Sequence, residues 1–355
     1  MWSTPSRTLM IRIRLAILAT MLAFLFLEAD AIAQIPAPLD AQNHPALFNL
    51  QLKTLGGQQF WSDVRFAGGW KIQRNSETGH FRLIDPRNVR HAWGSRDACE
   101  RELNRKIQAR QIVRDRGSVV ILLHGLSRTN NSMNTMATFL QQQGGYTVAN
   151  LEYASSRAPI GTHAADLRSV IDSLDPQVTE INFVCHSLGN LVVRRYLADG
   201  QQNGAGRDPR IHRMVMLGPP NQGSKMARML KDNVLFQTFA GASGAQLSVG
   251  WAQLKPSLAV PDFEFGIIAG GNNENLLIDN FLLAGGDDIT VSLEEAKLPG
   301  ARDLWVQPLL HGTMMHQPEV LAVALQFLQD GYFVSEELMQ PIAEDWQPEP
   351  ELDPK

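Results

Sequence analysis

The chain has 355 residues, 44% hydrophobic and 19% charged, with a formal net charge of -4. This is ordinary globular composition, enough for one large α/β domain with additions or for two small domains. No basic stripe accompanies the negative charge, which argues against a nucleic-acid partner. There are only two cysteines, Cys99 and Cys185. Both are expected to be free thiols, so packing rather than cross-linking must stabilise the fold.

Residues 1–33 have the form of an export signal. Arg7, Arg12 and Arg14 precede an apolar stretch over 15–27, and Ala31-Ile-Ala33 offers a cleavage site before Gln34. The stretch is short against the ~20 residues of a membrane span, and an uncleaved anchor is the alternative. No cysteine follows the cleavage site, which argues against a lipid anchor. The mature protein is expected in the periplasm or outside the cell. Residues 34–48 are rich in proline and alanine and are predicted to be a linker. Strand-like pieces broken by glycine follow over 49–92, then helical spacing over 97–113. Together 34–115 form an N-terminal extension: either the first antiparallel strands of the main sheet or a small extra module.

From residue 118 strands alternate with helices. Apolar runs predict strands at 119–123, 146–153, 181–185, 211–217, 263–269 and 304–306. Helical spacing appears at 132–143, 163–174, 188–198 and 318–328. Such alternation implies a parallel sheet with helices on both faces, and two covered faces explain the unbroken apolar runs. The α/β domain is bounded at 116–332. Residues 223–261 interrupt it without a clear strand. They form either a cap over the active-site end or a helix packed on the sheet edge. The tail over 333–355 is acidic and Pro-rich, and from Pro341 it is predicted to be disordered.

The join between the strand at 181–185 and the helix from Leu188 carries Ser187. A sharp strand-to-helix turn there would lift the hydroxyl out of the sheet and point a helix N-terminus at it. The positions two before and two after such a serine must be small. Gly189 fits; Cys185 stands where G-x-S-x-G has glycine, and as a small residue it reads as a packing substitution. A serine hydroxyl needs a base and an orienting carboxylate. In a sheet of this kind they follow in the order acid, then histidine. Asp288 is preferred as the acid, being one step closer to the apolar segment after it, with Asp287 the alternative. His311 is preferred as the base because it directly follows a strand; His316 competes from the mouth of the last helix. The oxyanion also needs backbone donors. Leu188 N–H at the helix start is one, and Leu126 N–H after the turn His124-Gly125 is the other.

These pieces resemble the α/β-hydrolase superfamily, in its bacterial lipase-like and esterase-like branch. The matching segments are Leu122-Leu-His-Gly-Leu126, Val184-Cys-His-Ser-Leu-Gly189, Leu217-Gly-Pro-Pro-Asn-Gln-Gly-Ser224, Asp288-Ile-Thr-Val291 and His311-Gly-Thr-Met-Met. They run in the family's order over 118–330. Departures are Cys185 for glycine and Asp288-Ile where many relatives have Asp-Gly. The resemblance implies an α/β-hydrolase fold with a cap insertion and a Ser187–His311–Asp288 triad acting on carboxylic esters. The same triad would serve a thioesterase, an amidase or an acyltransferase; a non-catalytic binding protein is the rival outside enzymes. Nine histidines lie without metal-ligand spacing and no phosphate loop appears, so neither metal nor cofactor is expected. The expected partner is a small-molecule or lipid ester, with transient contact to a membrane surface through the cap.

Overall fold

The computed structural model describes residues 52–53, 58–271 and 291–348. The export signal, the linker, and both Asp287 and Asp288 lie outside the described residues. So do the last seven residues of the tail. Among the described residues no helix is long and apolar enough to cross a membrane.

The main sheet has six parallel strands. They are β6 (Gly117–Leu123), β7 (Thr147–Leu151), β8 (Val178–His186), β9 (Ile211–Leu217), β10 (Phe265–Gly270) and β11 (Asp303–Gln307). Their order across the sheet is β11-β10-β9-β8-β6-β7. In register, Ile121 of β6 pairs with Phe183 of β8, and Cys185 of β8 with Met216 of β9. Alternate residues of each strand enter opposite cores. Ile121, Phe183, Cys185 and Met216 face one layer, with Leu167 and Leu191 of the covering helices. Val120, Leu122, Val184 and Val215 face the other, with Met136, Leu140 and Phe327. Both faces are apolar for that reason, and the strands read as continuous runs. The covering helices include α3 (Ile160–Asp172) and α4 (Leu188–Gln202) on one side. On the other lie α2 (Asn134–Gly144) and α8 (Pro318–Asp330). This is the α/β-hydrolase fold.

The N-terminal strands form a sheet of their own rather than extending the main one. It holds five antiparallel strands in the order β1-β5-β4-β3-β2. They are Leu52–Lys53, Val89–Gly94, Phe81–Ile84, Trp70–Asn75 and Trp61–Ala67 in that order. Helix α1 (Arg96–Gln108) covers it, capped by Ser95, whose hydroxyl accepts the Ala98 N–H. The helix ends before the 113 that spacing alone suggests. Val113 is left 84% exposed, so it has no face to bury. Cys99 packs with Leu83 and Leu103 in the small core of this unit, and burial pushes its thiol up to about 12. The sheet is joined to the main domain by polar contacts. Arg74 pairs with Asp166 of α3 at 2.8 Å, and Lys71 Nζ donates to the Asn150 carbonyl at 2.6 Å.

The insertion is helical: α5 (Lys225–Met229), α6 (Val234–Leu247) and α7 (Trp251–Leu254). Helix α6 breaks at Gly241, where φ is 55° and ψ is -145°. A Cβ there would collide with the Ser156 carbonyl. The segment after the break is tied to the loop following β7: Ala242 N–H donates to Ser156 O (3.1 Å) and Ser243 Oγ to Ala158 O (2.9 Å).

Over residues 341–348, the described part of the tail, the structure is docked rather than disordered. Ile342 N–H donates to Ala301 O at 2.9 Å and its carbonyl accepts from Gly300. Its side chain is buried in the main core, and Trp346 packs against that core. The acidic, proline-rich composition conceals these two apolar anchors.

Candidate active site

Ser187 is the one residue between β8 and α4, with φ 50° and ψ -117°. A non-glycine residue at positive φ is held there by its surroundings at a cost of about 1–3 kcal/mol. Two contacts hold this one. Ser187 N–H donates to Leu217 O at the end of β9 (2.9 Å), and the Asn190 side-chain amide donates to Ser187 O (2.9 Å). The serine side chain makes no cap bond to the helix it starts. Gly189 is needed for close approach: a Cβ there would lie 2.7 Å from the Leu123 carbonyl oxygen. Cys185 is fully buried between β6 and β9, and burial pushes its thiol well up, so it stays protonated. It lies beneath the turn as core.

Ser187 and His311 line one cavity of about 20 Å³. Gly125, Leu126, Arg128, His186, Leu247 and Val291 also border it. That volume is on the scale of a single water molecule. Leu247, from the end of α6, makes the helical insertion part of the pocket wall. His311 lies in the loop after β11. Burial, with the nearby positive charge of Arg128 adding to it, pushes its pKa down to about 4. His316 is exposed and bonds Thr135 Oγ1 at 3.0 Å instead. Leu126 belongs to a turn closed by Arg128 N–H donating to Gly125 O (3.3 Å). Leu188 is the first residue of α4, where an N–H has no acceptor within its own helix. His124 is fully buried beneath this turn, its ring stacked on Tyr153 at 4.2 Å.

Three contributors escaped the sequence reading. His186 donates from Nε2 to the His311 carbonyl (3.0 Å), and the two rings lie 4.7 Å apart. This contact ties the histidine loop to the residue preceding Ser187. Gly218, at φ 51°, makes room for the His311 ring: a Cβ there would lie 2.7 Å from His311 Nδ1. Arg128 brings a positive charge to the pocket. His186 and Gly218 lie within the segments Val184–Gly189 and Leu217–Ser224, but their roles need the third dimension. Among the described residues no group of three or more His, Cys, Asp or Glu side chains could hold a metal ion.

Residues 86–262 match a family model described as a domain of unknown function, DUF7379. No curated protein matches the chain. Among solved structures, the chain is similar to the mature form of the Bacillus licheniformis lipase BlEst2, at 16% identity and a TM-score of 0.44, over 59% of this chain and 90% of that one. It is similar to the lin2722 gene product of Listeria innocua, at 16% identity and 0.39, over 60% and 94%. It is also similar to a metagenomic carboxyl esterase, MGS0156, at 17% identity and 0.42, over 56% and 67%.

Proposed function

We propose that this chain is an exported serine hydrolase of carboxylic esters. The observation that carries the reading is Ser187, held at positive φ on a one-residue turn, in one pocket with His311. In this reading Ser187 Oγ attacks the acyl carbonyl while His311 takes its proton, then returns it to the leaving alcohol. Water then attacks the acyl-enzyme with His311 again as base. Leu126 and Leu188 N–H groups hold the oxyanion. Asp288 orients His311 and stabilises its charged form. Val291, three residues after Asp288, lines the pocket. The apolar wall of Leu126, Pro220, Leu247 and Val291 favours an apolar acyl chain, with a lipid or small-molecule ester as substrate.

A series of p-nitrophenyl esters of rising acyl length tests the reading. Turnover should rise from acetyl to longer chains, and absence of turnover on every member would overturn it. In the same assay Asp288→Ala should cost about 10³–10⁴-fold in kcat, on the scale seen when a triad carboxylate is lost. Asp287→Ala should stay within about threefold, the scale of a side chain outside the triad. The reverse pattern would move the acid to Asp287.

Export is supported by the arginines, apolar stretch and Ala-x-Ala site of residues 1–33. The first residue of the protein recovered from the periplasm or medium should be Gln34. Recovery with Met1 intact in the membrane fraction would contradict cleavage.

A further inference from the structure

We propose that Glu152 is a positioning residue for the loop carrying Leu126, and that the antiparallel sheet holds Glu152 in place through Asp63. The inference rests on the hydrolase reading, in which Leu126 N–H faces the oxyanion. The loop runs irregularly between His124 and Asn130, with Ser127 at φ 56°. One carboxyl group touches both of its ends. Glu152 Oε2 accepts the Asn130 N–H at 3.0 Å, while Oε1 lies 3.3 Å from His124 Nε2, a nitrogen that accepts the neighbouring Tyr153 N–H at 3.4 Å. Glu152 and His124 are 1% and 0% exposed, so the His124 end does not compete with water, and the Asn130 end is half-buried.

The His124 end is fixed further. Its Nδ1–H donates to the Gly125 carbonyl at 2.9 Å, and the Tyr153 hydroxyl donates to the His124 carbonyl at 2.5 Å. Glu152 is in turn gripped by β2 of the antiparallel sheet. Asp63 N–H donates to Glu152 O, and Glu152 N–H donates to Asp63 Oδ2, both at 2.8 Å. Ser62 Oγ accepts the Ala154 N–H next along at 3.2 Å. Asp63 keeps its own position through Lys71 (2.9 Å) and Gln73 (2.6 Å). The N-terminal sheet thus reaches the oxyanion loop through a short chain of polar contacts. A backbone donor works only when it is placed accurately, and a misplacement of about 1 Å can cost about 100-fold in rate.

The full chain is assayed with p-nitrophenyl butyrate, and a fluorophosphonate counts reactive sites. Glu152→Ala should lower kcat per labelled site by about 30- to 100-fold with KM within about twofold, because the loss falls on the transition state. Glu152→Gln should recover kcat to within about fivefold, since its amide oxygen can still accept the Asn130 N–H. A merely structural role would lower the melting temperature and the labelled fraction but leave kcat per labelled site unchanged; that result would overturn the proposal. If Glu152→Ala does not fold, Asn130→Pro removes the N–H at the other end. Proline is tolerated at the start of a helical turn, and Thr129 before it is already extended (φ -124°, ψ 168°). About a tenfold loss of kcat per labelled site is expected there, and an unchanged value overturns the proposal. Absence of label on the wild type would overturn the hydrolase reading and this inference together, whereas a labelled wild type with an unaffected Glu152→Ala overturns this inference alone.

Discussion

Ser187→Ala is expected to lower kcat on a short-chain ester by about 10⁴–10⁶-fold, the scale on which removing a triad nucleophile acts. The substitution deletes one oxygen from a side chain that is 9% exposed and makes no cap bond to its helix. The turn is held by backbone contacts from Leu217 and by the Asn190 side chain, none of which involves the hydroxyl. Alanine also meets positive φ with the same Cβ as serine. The thermal midpoint should therefore stay within a few degrees, as for a change worth less than about 1 kcal/mol. KM should change little, because the hydroxyl contributes in the transition state rather than in ground-state binding. Steady-state kinetics with circular dichroism on the same preparation checks this. Retention of more than a few per cent of the activity by a folded variant would remove Ser187 from the nucleophile role.

His311→Ala should cost about as much as loss of the serine, because members of a triad act as a unit. The double variant with Ser187→Ala should then be scarcely worse than either single one. The pH dependence follows from the ring's surroundings. Only the neutral imidazole can accept the Ser187 proton. Burial and Arg128 favour that form, pushing the pKa down to about 4. A carboxylate at Nδ1 favours the charged form and raises the pKa. Activity should therefore be lost as the pH falls through a limb lying above 4, and Asp288→Asn should move that limb to lower pH. A limb that stays in place or moves upward would exclude Asp288 from contact with the base.

The main sheet was legible because both of its faces are buried. A run such as Val119–Leu123 sends alternate residues into two cores and stays apolar throughout. The meeting of Ser187 and His311 in one pocket was legible because each follows the C-terminal end of a parallel strand, Ser187 on a one-residue turn and His311 in the loop after β11. The antiparallel sheet was harder, since polar side chains such as Asp63, Gln73 and Arg82 are buried in it and break the apolar alternation. The role of Glu152 could not be seen in one dimension. It follows a strand like many acidic residues, and only the fold brings His124, Asn130 and Asp63 to it. The tail misled for the opposite reason: its composition describes the exposed residues, while Ile342 and Trp346 do the docking. The choice between Asp287 and Asp288 rests on their sequence neighbours.

The most direct measurement is mass spectrometry of the protein after reaction with a fluorophosphonate. Buried Cys185 and exposed His316 provide internal alternatives for the site of modification. The wild type should gain one adduct, mapped to the peptide containing Ser187, and Ser187→Ala should gain none. An adduct on any other residue, or an unchanged mass for the folded wild type, would contradict a nucleophilic Ser187.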